Sequence, residues 1–295
     1  MKSAPFAYAA PSTLGDALQI LTENDPDEVK LMAGGQSLMP LLNMRLARPE
    51  LVVDLGRIGG LDYIRETTEG VAIGAMATKR AVEESELIER EHPLFWESTL
   101  AIGHPPIRNR GTVGGSMAQA DPASEYPAAA IALDAELVAT SAGGERVIPA
   151  EDFFVTYLTT SLEPGEILTE VRIPRSSPGT GWSFQEVARR HGDFAIVGAV
   201  ATLRLEGGVV ADPRLVVFGA ADRALRLRDA ESLLAGHAPG EAAFAAAASA
   251  IAEGIEDPLG DVHASEEFRR HLAVVLGGRA LREAADRAAS SNGGA

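Results

Sequence analysis

Two glycine pairs constrain this chain more than any other feature. One lies in Ala33-Gly34-Gly35-Gln36-Ser37-Leu38. The other lies in Thr112-Val113-Gly114-Gly115-Ser116, which runs on through Gln119 and Asp121-Pro122 to Glu125. Each pair stands between an apolar run and a small hydroxyl residue. A glycine pair has no Cβ in the way, so its backbone can approach a ligand closely and take up positive φ. Successive amide N–H groups in such a turn form a nest that favours an anion, above all a phosphate. Two such turns point to two walls closing on the pyrophosphate of a dinucleotide. Two ordinary glycine turns would satisfy the same pattern.

Around the first pair, residues 6–54 read as a βαβ-like unit. Ser12 or Thr13 can cap a helix in which Leu14, Ala17, Leu18 and Leu21 share a face. Val29 to Ala33 reads as a buried strand leading into Gly34, Pro40 to Leu46 as a short turn or helix, and Leu51 to Asp54 as a second strand. After a break at Gly59-Gly60, Val71 to Ala75 is a strand and Thr78 caps a helix from Lys79 to about Glu91. Pro93 opens another helix, which Pro105-Pro106 ends. Arg108 and Arg110 lead into the second pair, either as a basic face beside a ligand or as two solvated charges. Pro122 suits the first position of a helix, which makes Asp121 a candidate N-cap, with Glu125 one turn further on. A carboxylate there can accept hydrogen bonds from ribose or ribityl hydroxyls.

Strands are expected over 136–141, 147–150 and 167–174, and 174–179 is the best linker. Three long strand-like runs follow over 182–189, 195–206 and 209–220, with Gly207-Gly208 as a tight hairpin. Helices are expected over 225–236, 241–255 and 266–289, so strands followed by helices make an α+β domain. The tail from Ser290 to Ala295 reads as disordered.

With 295 residues, the chain is long enough for two or three domains. Its formal net charge of −16 argues against a nucleic-acid partner, which needs clustered Lys and Arg. No apolar run reaches the ~18 residues of a membrane span, and the N-terminus lacks a signal-peptide core, so a cytoplasmic protein is expected. The chain has no cysteine. It therefore cannot ligate an iron–sulfur cluster by thiolate or link a flavin through sulfur. No Gly-x-Gly-x-x-Gly, Walker loop, zinc-protease or nucleophile-elbow motif is present, and the six histidines show no ligand spacing. With no nucleophile–base pair and no metal site, the chemistry expected is electron transfer by a bound cofactor.

The two stretches, with Leu31-Met32 preceding the first, resemble the FAD-binding medium subunit of molybdenum hydroxylases of the carbon monoxide dehydrogenase, xanthine dehydrogenase and nicotine and caffeine dehydrogenase type. The likeness continues through Asp121-Pro122-Ala123-Ser124-Glu125, Gly165-Glu166-Ile167-Leu168 and Arg189-Arg190-His191-Gly192-Asp193-Phe194. It covers nearly the whole chain. The resemblance implies an α+β fold: a vanillyl-alcohol-oxidase-like (PCMH-type) FAD-binding domain of two subdomains, over 1–57 and 58–175, and a C-terminal α+β domain over 176–289. It implies that Leu31 to Leu38 and Thr112 to Ser116, with Gln119 and Asp121, surround the FAD, the glycine stretches using backbone amides. By the same resemblance Glu125 binds FAD, Ile102 and Leu168 contact the adenine side, and Gln185 and Phe194 align with flavin-site positions. Gln185 replaces a lysine of the xanthine dehydrogenase branch, and Phe194 replaces a tyrosine of carbon monoxide dehydrogenase.

The implied role is electron exit. A large subunit would carry the molybdopterin cofactor and oxidise the substrate, and a small subunit with two [2Fe–2S] clusters would feed electrons to FAD on this chain. An external acceptor (quinone, NAD or oxygen) would take them, within a dimer of heterotrimers, and the isolated chain would lack hydroxylase activity. One alternative is a stand-alone flavin-dependent oxidoreductase of the same fold, for which no convincing base is found. Another is a flavin-free scaffold.

Overall fold

The computed structural model describes residues 2–292. At the N-terminus, strands β1 (Ala7–Ala9), β2 (Val29–Met32) and β3 (Leu51–Asp54) form a parallel sheet in the order β1-β3-β2, with helices α1 (Leu14–Glu23) and α2 (Leu38–Met44) as connections. Thr13 is the residue that caps α1, its Oγ1 accepting from the Asp16 amide at 3.1 Å. Ala17 and Leu18 bury the face their spacing selects. The expected βαβ-like unit is present, but Leu31 is only half-buried, because the end of β2 borders a cleft.

The middle of the chain builds an antiparallel sheet from β4 (Ile64–Glu66), β5 (Gly70–Gly74), β6 (Glu136–Ser141) and β7 (Gly144–Pro149). Its central strand, β10 (Ile167–Pro174), follows the short helix α9 (Ala150–Phe153) and the hairpin β8 (Phe154–Thr156)–β9 (Thr159–Thr160); the order is β4-β5-β10-β6-β7. Six helices fill the crossover from β5 to β6: α3 (Lys79–Glu83), α4 (Glu86–Glu91), α5 (Pro93–Ala101), α6 (Pro105–Arg108), α7 (Val113–Gln119) and α8 (Glu125–Ala132).

Several expectations fail in this crossover. The helix from Lys79 to Glu91 is two helices, because Ser85 Oγ accepts from the Ile88 amide at 3.3 Å and so caps a new start. Pro105-Pro106 does not end α5. That helix stops at Ala101, Gly103 takes φ +54°, and the prolines occupy the first turn of α6, where a missing N–H costs nothing. Asp121 is not an N-cap. Its Oδ1 closes a local turn by accepting from the Ala123 amide at 2.9 Å, and Ser124 precedes α8 instead.

The C-terminal part is a four-stranded antiparallel sheet, β11 (Gly181–Ala188), β12 (Ala195–Glu206), β13 (Val209–Phe218) and β14 (Leu225–Arg226), followed by α10 (Arg228–Leu234), α11 (Glu241–Gly254) and α12 (Glu266–Asn292). Gly207 and Gly208 form the expected hairpin with φ +59° and +85°, values that only glycine adopts freely. Residues 225–226 are strand rather than the start of a helix. The tail expected to be disordered from Ser290 is helical to Asn292, and its remainder, 293–295, lies outside the described residues.

Side chains of the sheet alternate between two cores. Val197, Ala199, Ala201 and Leu203 pack against α10–α12, while Val200, Val216 and Phe218 join the core of the crossover helices. Gly198 leaves room for the Phe218 ring, which a Cβ would strike; that ring stacks on Phe184 at 5.9 Å. The sheet is thereby seated on α8, the helix that carries Glu125. Among the described residues, no helix is long and apolar enough to cross a membrane.

Candidate functional site

A cleft of about 650 Å3 opens where β2 ends, between the N-terminal unit and α7–α8. Ligand sites gather at the carboxyl ends of parallel strands because the connecting loops diverge there. The loop after β2 contributes Ala33, Gly34, Gly35, Gln36, Ser37 and Leu38 to the wall. Gly35 has φ +72°, and Gln36 Nε2 folds back to donate to the Gly34 carbonyl at 3.1 Å. Among the described residues, no protein acceptor takes the amides of Gly35, Gln36 or Ser37. Three neighbouring donors thus stand free at a cleft wall, an arrangement that suits an anion.

The second pair is built differently. Thr112, Gly114, Gly115 and Ser116 also line the cleft, but none of Gly114 and Gly115 has positive φ, and both lie in α7. The amides here are already engaged. Val113 donates to Ala77 O at 2.9 Å, Gly114 to Ala75 O at 2.8 Å, Gly115 to Thr112 Oγ1 at 3.0 Å and Ser116 to Thr112 O at 3.1 Å. This corrects the expectation of a second amide nest. The glycines serve close packing instead: a Cβ on Gly114 would strike Ala75, and one on Gly115 would lie 3.3 Å from the Ala33 Cβ of the first loop.

The floor is polar and buried. Glu125 (3% exposed), Lys79 (8% exposed) and the half-buried Asp121 line it, with Gln119 beside them. Ser116 and Ser124 approach each other at 3.3 Å between their hydroxyl oxygens. Burial pushes the Glu125 carboxyl up to about 7, against its own backbone amide and Lys79, which favour the ionised form. Burial also raises Asp121. Burial brings the Lys79 ammonium down to about 8, with Glu125 acting in the opposite direction, and its Nζ lies 5.5 Å from the Tyr126 ring. Lys79 was missed in the sequence. Its signal was a cation in the first turn of a capped helix, where the helix dipole disfavours one.

Leu31, Ile102 and Leu168 give apolar wall, as do Leu41, Leu55 and Ile167, which were not foreseen. Phe194 stands at the lip, 63% exposed, beside Gly192 and Asp193. Gly192, at φ +84°, presses on the His104 ring, leaving 2.6 Å between a would-be Cβ and Cε1.

Three expected residues do not line this cleft. Val113 is fully buried beneath it, and Met32 is not part of its wall, although Lys30 and Leu31 of the same strand are. Gln185 faces α12, where its Nε2 donates to Glu283 Oε2 at 2.7 Å. The next residue on β11, Glu186, points to the opposite face of the sheet, and burial pushes its carboxyl up to about 8, with the charge of Glu125 adding to the rise. Arg108 is neither solvated nor a ligand-facing cation: it is buried and forks onto Glu83 at 3.0 and 3.2 Å. Arg110 is exposed.

Residues 4–176 match the family described as the FAD binding domain in molybdopterin dehydrogenase, and residues 182–284 match the CO dehydrogenase flavoprotein C-terminal domain. The chain is 40% identical over 289 residues to the 6-hydroxypseudooxynicotine dehydrogenase complex subunit alpha of Paenarthrobacter nicotinovorans, covering 98% of this chain and 97% of that one. It is 37% identical to the carbon monoxide dehydrogenase medium chain of Hydrogenophaga pseudoflava, over 95% and 96% of the two chains. The solved structure of carbon monoxide dehydrogenase from the same organism, in a form lacking the Mo-pyranopterin moiety of its cofactor, superposes with a TM-score of 0.94 at 36% identity, covering 97% of this chain and 99% of that one.

Proposed function

The chain belongs to the FAD-binding medium subunits of the molybdenum hydroxylases, and from that membership we propose that it is their electron-exit component, binding FAD in the cleft after β2. It is an oxidoreductase component. The donor set suits FAD. Free amides at Gly35, Gln36 and Ser37 suit a diphosphate. Carboxylates at Asp121 and Glu125 suit ribose and ribityl hydroxyls, and Leu31, Ile102 and Leu168 suit flat rings. The free amides beside a buried carboxylate are the observation that carries this reading.

FAD, when bound, supplies reversible redox chemistry that no side chain of this cysteine-free chain offers. The chain's own part is to hold, orient and shield. Lys79 sets a buried positive charge beside Glu125, and Phe194 offers a ring that can stack at the lip. On this reading a small subunit with two [2Fe–2S] clusters delivers electrons and a large molybdopterin subunit oxidises the substrate. A quinone, NAD or oxygen accepts the electrons, and the assembly is a cytoplasmic dimer of heterotrimers. The division at 1–57, 58–175 and 176–289 belongs to the same reading; it is supported by one main sheet falling in each unit.

An absorbance spectrum of the purified chain, before and after acid precipitation, tests the proposal. A flavin spectrum released into the supernatant is expected. No flavin, and no binding when FAD is added, would overturn it.

A further inference from the structure

A second cavity, of about 220 Å3, shares no lining residue with the cleft and lies where the linker after β10 crosses the C-terminal sheet. The way that sheet packs creates it. Val200 on β12 and Val216 on β13 stand opposite each other and join the core of the crossover helices. Two residues further along the same face, the facing pair is Thr202 and Arg214, and the apolar row stops. Beyond them the register shifts, so that Arg204 faces Ala211, and Asp212 in the bulge takes φ +46°. Asp134, just after α8, takes φ +50° and pairs with Arg214 and, at 3.2 Å, with Arg226.

The facing pair lacks an acceptor. Thr202 is 2% exposed, and its Oγ1 has no partner among the described residues. The Nε of Arg214 is buried too and has none. An Nε–H can only donate, and a buried donor left without an acceptor is costly. The cavity that both residues line is where an acceptor can stand. Arg175 and Arg204 line the same space, the first held by Glu66 and Glu91, the second by Glu206 and Asp212. Ser176 and Ser177 border it from the linker and can donate as well. At about 30 Å3 of liquid per water, the space takes roughly seven waters, or a small anion with a few.

We propose that this cavity binds a small oxyanion, a phosphate or a carboxylate, which ties the C-terminal sheet to the linker and to the end of α8. The inference stands apart from the reading of the cleft as the FAD site. One anion accepts from Thr202 Oγ1 and Arg214 Nε together, through charge-assisted hydrogen bonds that a water does not match. The carboxylates already paired with the three arginines offset much of their charge, so the affinity is modest, in the millimolar range.

Thermal melts of the full chain in chloride, phosphate and acetate, at equal ionic strength, test this. Saturating phosphate is expected to raise the wild-type midpoint by about 3–6 °C more than that of Arg214→Gln. That variant leaves Asp134 paired with Arg226. Thr202→Val keeps the shape and removes the hydroxyl. It is expected to melt no lower than wild type in chloride and to need roughly tenfold more phosphate for the same rise. Comparison with the variants also subtracts phosphate bound elsewhere, the free amides of the cleft included. A rise in phosphate that depends on Thr202 and Arg214 supports the proposal and makes the ligand a tetrahedral anion; the same dependence in acetate supports it and makes the ligand a carboxylate. Equal rises in all three proteins, or none, would overturn it, because excluded salts stabilise any compact chain alike. Should Arg214→Gln fail to fold, the comparison with Thr202→Val decides alone.

Discussion

Gly34 and Arg110 meet backbone to backbone. A Cβ on Gly34 would strike the Arg110 carbonyl oxygen and lie 2.8 Å from the Gly111 Cα. The loop with the free amides is thus seated on the segment that leads into α7, with no space for a methyl group. Gly34→Ala is expected to drive the two apart, at a cost of about 1–3 kcal/mol for overpacking. To the extent that this cost falls on the bound state, FAD affinity should drop by roughly 5- to 100-fold, since 1.4 kcal/mol is a factor of ten in binding. Gly59→Ala is the control, because a Cβ there meets nothing within 4 Å. A thermal melt and an FAD titration of both variants check this.

The first glycine loop was legible because an apolar strand running into Gly34-Gly35 leaves few alternatives, and β2 and α2 flank it as expected. The second loop was misread. A glycine pair required by a crowded helix start has the same letters as one required by positive φ, and only the Ala75 carbonyl and the Thr112 hydroxyl that take its amides tell them apart. Gln185 failed for a related reason. The strand itself was visible, but which neighbour faces α12 depends on how the sheet docks, and a shift of one residue reverses it. Lys79 and Arg108 became meaningful only once Glu125 and Glu83 were brought beside them from distant positions. The C-terminal strands and the Gly207-Gly208 hairpin were legible throughout, since their apolar alternation and turn chemistry are local.

Arg108 ties the crossover together. It forks onto Glu83 and donates through Nη1 to the carbonyls of Ile102 and Gly103 at 3.1 and 3.0 Å, both residues of the cleft wall. Removing one partner of a buried ion pair costs about 3–5 kcal/mol. Arg80, 3.2 Å from Glu83, remains to absorb part of that charge. Arg108→Met is therefore expected to cost roughly 2–3 kcal/mol in denaturant unfolding, below the full range, and to weaken FAD binding as the Ile102–Gly103 wall loosens. Arg108→Lys should recover little, because a point charge cannot fork.

His92 is 1% exposed, and neither ring nitrogen has a partner among the described residues. Burial pushes its pKa from 6.5 down to about 4. The unfolded chain takes up a proton below the higher value and the folded chain does not. Its contribution is therefore full above about pH 6.5 and lost as the pH falls toward 4. At about 1.4 kcal/mol per unit, the loss approaches roughly 3 kcal/mol. His92→Leu keeps an apolar side chain at the site and removes the titration. Melts at about pH 7 and pH 4.5 should show a smaller acid loss in the variant than in wild type.

Glu125 and Glu186 act on stability with the opposite sign. Their folded pKa values, about 7 for Glu125 and about 8 for Glu186, lie above the ordinary 4.5. Between those limits the folded chain holds more protons than the unfolded one, so stability falls as the pH rises through the window. Lys79, brought down from 10.5 to about 8, reverses the slope only above that point. Glu186→Gln keeps the shape of the protonated acid and cannot ionise. It is expected to match wild type closely at about pH 5 and to exceed it by roughly 1–3 kcal/mol at about pH 8.5, as judged from the shift at 1.4 kcal/mol per unit with a discount for partial solvation. Urea unfolding of the FAD-free chain at the two pH values measures the difference directly. An unchanged gap would mean that Glu186 ionises without penalty, and so that its buried oxygen finds a partner in solution.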